Sequence, residues 1–150
     1  MGLNSFTITK ERALPIFILA DTSGSMIGEK IQAVNNAIRE MIAALRNVND
    51  VRGVFKVSII TFGGDQVDVQ QNPTDVKSID FHELTASGRT PLGQAIEVVT
   101  SLIEDREIVK SSDYLPTVVL LSDGYPTDFP GSRSASYERY LEWDPIKKMH

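Results

Sequence analysis

Five oxygen-bearing side chains stand at three points of this chain: Asp21, Ser23 and Ser25 in the run Asp21-Thr22-Ser23-Gly24-Ser25, then Thr90, then Asp123. Two are carboxylates and three are hydroxyls, the hard oxygen ligands that Mg²⁺ and Mn²⁺ accept. The first group follows the apolar run Leu14 to Ala20 directly, and Asp123 comes just after the run Val118 to Leu121. A buried strand that ends in polar residues carries them to the C-terminal edge of its sheet, where open α/β sheets hold their ligands. Ser23 and Ser25 are two residues apart, so in an extended loop both side chains face one point. Asp21, on the same side, reaches an ion through water or hydrogen-bonds the ligating hydroxyls.

The charge balance of such a site favours recognition. Two carboxylates match one divalent cation, and neutral hydroxyls donate little electron density. The ion is then left electrophilic, with room for one more anionic oxygen from an Asp or Glu of a partner. Each piece alone has an ordinary structural explanation. The Asp21 run is also a helix-capping turn, Thr90 before Pro91 is also an N-cap, and Asp123-Gly124 is a common turn pair. Their joint order, after two apolar runs, favours a metal site.

The elements that must position these residues are legible as an alternation of patterns. Leu14 to Ala20 has no polar interruption and predicts a central strand covered on both faces. Gly24 and Gly28 bracket a turn. From Lys30 the spacing is helical, with Ile31, Val34, Ile38, Met41, Ile42 and Leu45 in one stripe and Lys30, Arg39, Glu40 and Arg46 at polar positions. Phe55 to Phe62 predicts a second strand, stopped by Gly63-Gly64. Gln66 to Gln70 predicts a half-exposed third strand, joined by a short antiparallel hairpin and ended by Asn72-Pro73.

Ile79 to Leu84 reads as a short extended piece leading to the Thr90 loop. Pro91 suits a first helical turn with Thr90 as its N-cap, and Leu92, Ala95, Ile96, Val99, Leu102 and Ile103 form that helix's buried stripe. Thr117 to Ser122 predicts another buried strand. Pro126, Pro130 and Gly131 indicate a loop, and Tyr137 to Trp143 a third helix interrupted by Pro145. No internal repeat or interdomain linker is visible. Residues 1–150 therefore read as a single α/β domain: a mostly parallel sheet with one antiparallel edge strand and helices on both faces.

Asp21-x-Ser23-x-Ser25, Thr90 within Gly88-Arg89-Thr90-Pro91-Leu92-Gly93, and Asp123-Gly124 resemble the three parts of the metal-ion-dependent adhesion site of the von Willebrand factor A family. The resemblance covers about residues 12 to 129. It implies a Rossmann-like fold, Mg²⁺ held by Asp21, Ser23, Ser25, Thr90 and Asp123, and protein-ligand binding without catalysis. The stretch Leu121 to Asp128 is most similar to bacterial intracellular members, including those associated with tellurite resistance. Family members normally continue with two more strands and a C-terminal helix. By that comparison the chain reads as C-terminally truncated, with the fourth-strand edge exposed to pair with another copy or a partner. Around the site, Arg89, Tyr125 and Asp128 are candidate rim residues for partner binding. Arg89 would steer an acidic partner, Tyr125 would add apolar contact, and Asp128 would extend the metal rim. An ordinary surface charge, burial and a solvated loop carboxylate are the respective alternatives.

Composition narrows the function classes. The chain has 150 residues, a formal net charge of −5 and no cysteine. The acidic balance disfavours a general nucleic-acid binder. Without cysteine there is no disulfide, thiolate zinc site or cysteine nucleophile. No apolar stretch has the length of a membrane span or a signal peptide, so the expected location is cytoplasmic, away from the membrane. Among enzymes, a metal-dependent hydrolase is the competing expectation, yet no phosphate-cradling glycine loop or Gly-x-Ser-x-Gly turn is present and the motifs place no general base. A scaffold with a non-functional metal site is the third. Ser23 and Ser25 are expected on an exposed loop.

Overall fold

The computed structural model describes residues 12–48 and 53–122. Four strands form one sheet: β1 (Arg12–Asp21), β2 (Gly53–Gly63), β3 (Gln66–Asp75) and β4 (Thr117–Leu121). Their order is β3-β2-β1-β4, with β1 parallel to both β2 and β4 and β3 antiparallel to β2. Two helices, α1 (Glu29–Arg46) and α2 (Leu92–Glu104), supply the crossovers. This is the expected Rossmann-like arrangement, a mixed sheet with helices on both faces.

The side-chain period of a strand explains the two cores. Even-numbered Ile16, Ile18 and Ala20 pack with Ile31, Val34, Ile38 and Ile42 of α1. Odd-numbered Phe17 and Leu19 pack with Leu92, Ala95, Ile96 and Val99 of α2. Both predicted helical stripes are therefore the buried stripes. β1 loses water on both faces, and burial of its bulky apolar side chains stabilises the sheet by roughly 1.5–3 kcal/mol for each large one.

Three details depart from the sequence expectation. β3 does not end at Asn72-Pro73 but runs to Asp75, with register shifts opposite Val57 to Ile60. Among the described residues β3 is an edge strand, where a proline's missing N–H costs no ladder bond, and the irregular register accommodates it. β4 is half-exposed rather than buried, with Leu120 at 49% exposure, because among the described residues it pairs only with β1. The N-cap position of α2 is Pro91, one residue later than expected, while Thr90 accepts a 2.9 Å bond from the Leu92 N–H through its carbonyl. The expected third helix at Tyr137 to Trp143 lies outside the described residues.

The segment from β3 to Thr90 is held by α1. Asn35, 4% exposed, clamps Leu84 from both sides: its Nδ2 donates to the Leu84 carbonyl (3.1 Å) and its Oδ1 accepts from the Leu84 N–H (2.8 Å). One turn on, Arg39 pairs with Glu83 at 2.6 Å. At the helix end, Arg46 donates to the carbonyls of Val76 (2.9 Å) and Ile79. These helix side chains satisfy backbone groups that a strand ladder would otherwise satisfy. Asn35→Ala is expected to lower stability by about 1–3 kcal/mol, since it strands a half-buried N–H and carbonyl; urea denaturation checks the amount, and faster amide exchange at Leu84 checks the place.

At the C-terminal edge of the sheet three turns are stitched together by backbone bonds. The Thr22 N–H donates to the Phe62 carbonyl (2.9 Å), Ser87 N–H to Thr22 carbonyl (2.7 Å), and Gly24 N–H to Gly88 carbonyl (2.8 Å). Two glycines permit this approach. A Cβ on Gly63 would fall 2.3 Å from the Thr22 carbonyl, and one on Gly88, whose φ is +70°, would fall 2.4 Å from the Gly64 Cα. Both obstacles are backbone, which cannot step aside as a side chain can. Gly88→Ala is therefore expected to cost about 1–3 kcal/mol and to separate the turns; thermal unfolding, with amide shifts at Gly24 and Gly64, would show it.

Candidate metal centre

The stitched turns bring together the first two parts of the motif. Asp21 ends β1 and is fully buried. Its Oδ1 accepts from the Ser23 N–H at 2.9 Å, the local turn that short acidic side chains favour. Its Oδ2 accepts from the Ser122 hydroxyl at 2.6 Å. The parallel register pairs Ala20 with Leu121, so Asp21 and Ser122 are the next residues on neighbouring strands and project from the same face. Ser122 is not among the motif residues; its position, one residue before Asp123 and at the end of the strand beside β1, is the signal that marks it.

Ser23 and Ser25 do face one point: their hydroxyl oxygens are 3.2 Å apart. They differ in exposure, which corrects the expectation of an exposed loop for both. Ser25 is exposed, but Ser23, the residue before the 3₁₀ turn Gly24–Met26, is 1% exposed, and Met26 at the end of that turn is buried with it. Thr90 is 6% exposed and follows Gly88 by two residues, so the 2.8 Å bond from Gly24 to Gly88 delivers its loop to the serine turn. Among the described residues no Lys or Arg pairs with Asp21, and no group of three or more His, Cys, Asp or Glu clusters anywhere. Hydroxyls thus supply most of the oxygen here.

Arg89 is exposed, with its Nε 3.5 Å from Asp65 Oδ1 in the β2–β3 turn. It stands at the loop edge, turned towards that neighbouring turn. Asp123, Tyr125 and Asp128 lie outside the described residues, so the third part of the motif is represented here only by the strand that leads to it.

The arrangement can be compared with known proteins. The von Willebrand factor type A domain family matches residues 16–126. No curated protein sequence matches the chain. Among solved structures, the vWF domain of the type V pili tip protein Mfa5 from Porphyromonas gingivalis superposes with a TM-score of 0.61 at 12% identity, covering 85% of this chain and 43% of that one. A structure of three N-terminal domains of the same pili tip protein gives a TM-score of 0.53 at 13% identity, covering 85% of this chain and 22% of that one. The chain thus spans less than half the length of these structural relatives, and at such identity the likeness shows the fold alone. The family match extends over most of the chain and includes both apolar strands and all three motif segments, so this protein belongs to the von Willebrand factor type A domain family.

Proposed function

We propose that the chain is a metal-ion-dependent protein-interaction module. The observation that carries this reading is Asp21, a fully buried carboxylate beside a pair of serine hydroxyls and without a cationic side chain among the described residues. Burying a carboxylate is costly unless charge and hydrogen bonds compensate it. Ser23 N–H and Ser122 supply the hydrogen bonds, and a divalent ion would supply the charge. The residues fit that ion by chemistry: Ser23, Ser25 and Thr90 offer neutral hard oxygens, and Asp21 and Asp123 offer the two negative charges. When bound, Mg²⁺ or Mn²⁺ would supply an electrophilic point for an Asp or Glu carboxylate of a partner protein.

The chain's own residues set the rest. Asp21 is fixed from both oxygens, so it orients Ser23 and shapes the turn rather than swinging towards a ligand. Ser25 is the open side of the pair and marks where a partner approaches. The reading is one of binding rather than catalysis. Among the described residues no helix is long and apolar enough to cross a membrane. The cysteine-free composition suits a reducing compartment, and a cytoplasmic bacterial setting remains part of this proposal.

Calorimetric titration with Mg²⁺ and Mn²⁺ tests the metal. Binding heat is expected, together with a rise in thermal midpoint that reflects about 2.7 kcal/mol of added stability at a hundredfold excess over Kd. Ser25→Ala should lower the metal-free midpoint only slightly, because it removes the 3.2 Å partner of the Ser23 hydroxyl from an exposed position, and should weaken the metal response. No heat and no shift with either ion would overturn the reading. Partner capture should likewise disappear in EDTA, and capture that persists there would show that recognition does not use the ion.

A further inference from the structure

The loop that carries Asp21 and Ser23 has a second side. Thr22 lies between them, and its side chain faces a cleft of about 310 Å³ between the β2–β3 hairpin and residues 83–87. Thr22 is only 8% exposed, yet among the described residues its hydroxyl has no hydrogen-bond partner. No fully buried side-chain polar atom of the described residues lacks a partner, so this hydroxyl retains some solvent contact, and Thr22 lines the cleft. The floor beneath it is Gly63, where a Cβ would fall 2.4 Å from Thr22 Oγ1 and close the space.

The cleft is rich in acceptors. Gln66 uses one amide N–H on Asp68 Oδ2 (3.0 Å), and Gln70 uses one on the Thr61 hydroxyl (3.1 Å), which leaves each amide one further N–H as well as its carbonyl. Both amide carbonyls and Asp68 Oδ1 are left to accept. Glu83, at the far wall, has one oxygen on Arg39 and the other open. Thr85 and Ser87 add hydroxyls, and no Lys, Arg or His lines the space. With Glu83 paired to Arg39, Asp68 is the lining carboxylate with no cationic partner among the described residues; that charge, ringed by amide carbonyls and hydroxyls, suits a cation with several donors in different directions, which is the guanidinium of arginine.

We propose that this cleft binds an arginine side chain of the protein partner, next to the acidic residue that the metal would hold. The partner's recognition element is then an acidic and a basic residue close together in space. The placement beside the metal turn rests on the reading given under Proposed function, but arginine binding by the cleft itself needs no ion.

That separation makes the two readings distinguishable. The full chain, ¹⁵N-labelled, would be titrated with N-acetyl-arginine amide in EDTA and again in Mg²⁺, with N-acetyl-glutamine amide as the neutral probe. Saturable amide shifts are expected at Thr22, Gly64, Gln66 and Ser87 with the arginine probe in both buffers. Asp68→Asn should weaken the arginine response about tenfold, the loss of one charged hydrogen bond. Thr22→Val, which keeps the branched shape and removes the hydroxyl, should weaken it without lowering the thermal midpoint. An arginine response that survives while Mg²⁺ produces no shift would support the cleft and remove the metal reading. Equal shifts from the neutral probe, or an arginine response unchanged in Asp68→Asn, would overturn the proposal.

Discussion

The backbone bonds that stitch the turn after β1 to the turns at Gly63-Gly64 and Ser87-Gly88 are the constraint on which this protein's chemistry depends. Neither a strand nor an α-helix supplies Ser23, Ser25 or Thr90; Ser25 sits in the short 3₁₀ turn Gly24–Met26 and the other two in loops. Their relative positions come from Thr22, Gly24, Gly64, Ser87 and Gly88 meeting main chain to main chain. Main-chain contact is stiff, because its partners have no rotamers to lose and few ways to relax. It is also exacting, because it holds only where no Cβ intrudes, which accounts for glycine at 63 and 88. The sheet delivers the turns to one edge, and α1 restrains the long connection through Asn35, Arg39 and Arg46.

Electrostatics gives the same edge its character. A buried carboxylate with two hydrogen bonds and no described cationic partner is an unfinished arrangement in a low-dielectric setting. Placing neutral hydroxyls beside it, rather than more carboxylates, limits the repulsion that the folded chain must hold without an ion. Under the proposed reading, an incoming ion would also be less neutralised than in a carboxylate cage, so the same side chains would serve both stability without the ion and attraction for an acidic guest.

The alternation of side chains along a single extended turn then divides its labour. Asp21 and Ser23 belong to the oxygen cluster, while Thr22 opens into a cleft bounded by Gln66, Asp68 and Ser87. Two surfaces of different chemistry are therefore one residue apart. A partner that engaged both would be read for the distance between its charges as well as for their presence, which is a stronger filter than either contact alone.

Much of this was legible in the chain. The uninterrupted run Leu14 to Ala20 and the stripes from Ile31 to Leu45 and from Leu92 to Ile103 determined the central strand and both helices, because burial follows periodicity whatever the neighbours are. The spacing of Asp21, Ser23 and Ser25 determined that the serine hydroxyls face one point. Tertiary structure alone decided the rest. Pro73 looks like a strand end in isolation, and only an edge position lets β3 continue past it. Thr117 to Leu121 looks buried, and only its place beside β1 leaves it half-exposed. Asn35 reads as an ordinary polar position on a helix, Ser122 as a strand terminus and Thr22 as a spacer. Each acquires its role from a residue or cleft wall distant in sequence: Leu84, Asp21 and the Gln66 to Gln70 strand. Periodicity is a property of neighbours along the chain, whereas a hydrogen bond across a hundred residues exists only once the sheet register has set them side by side.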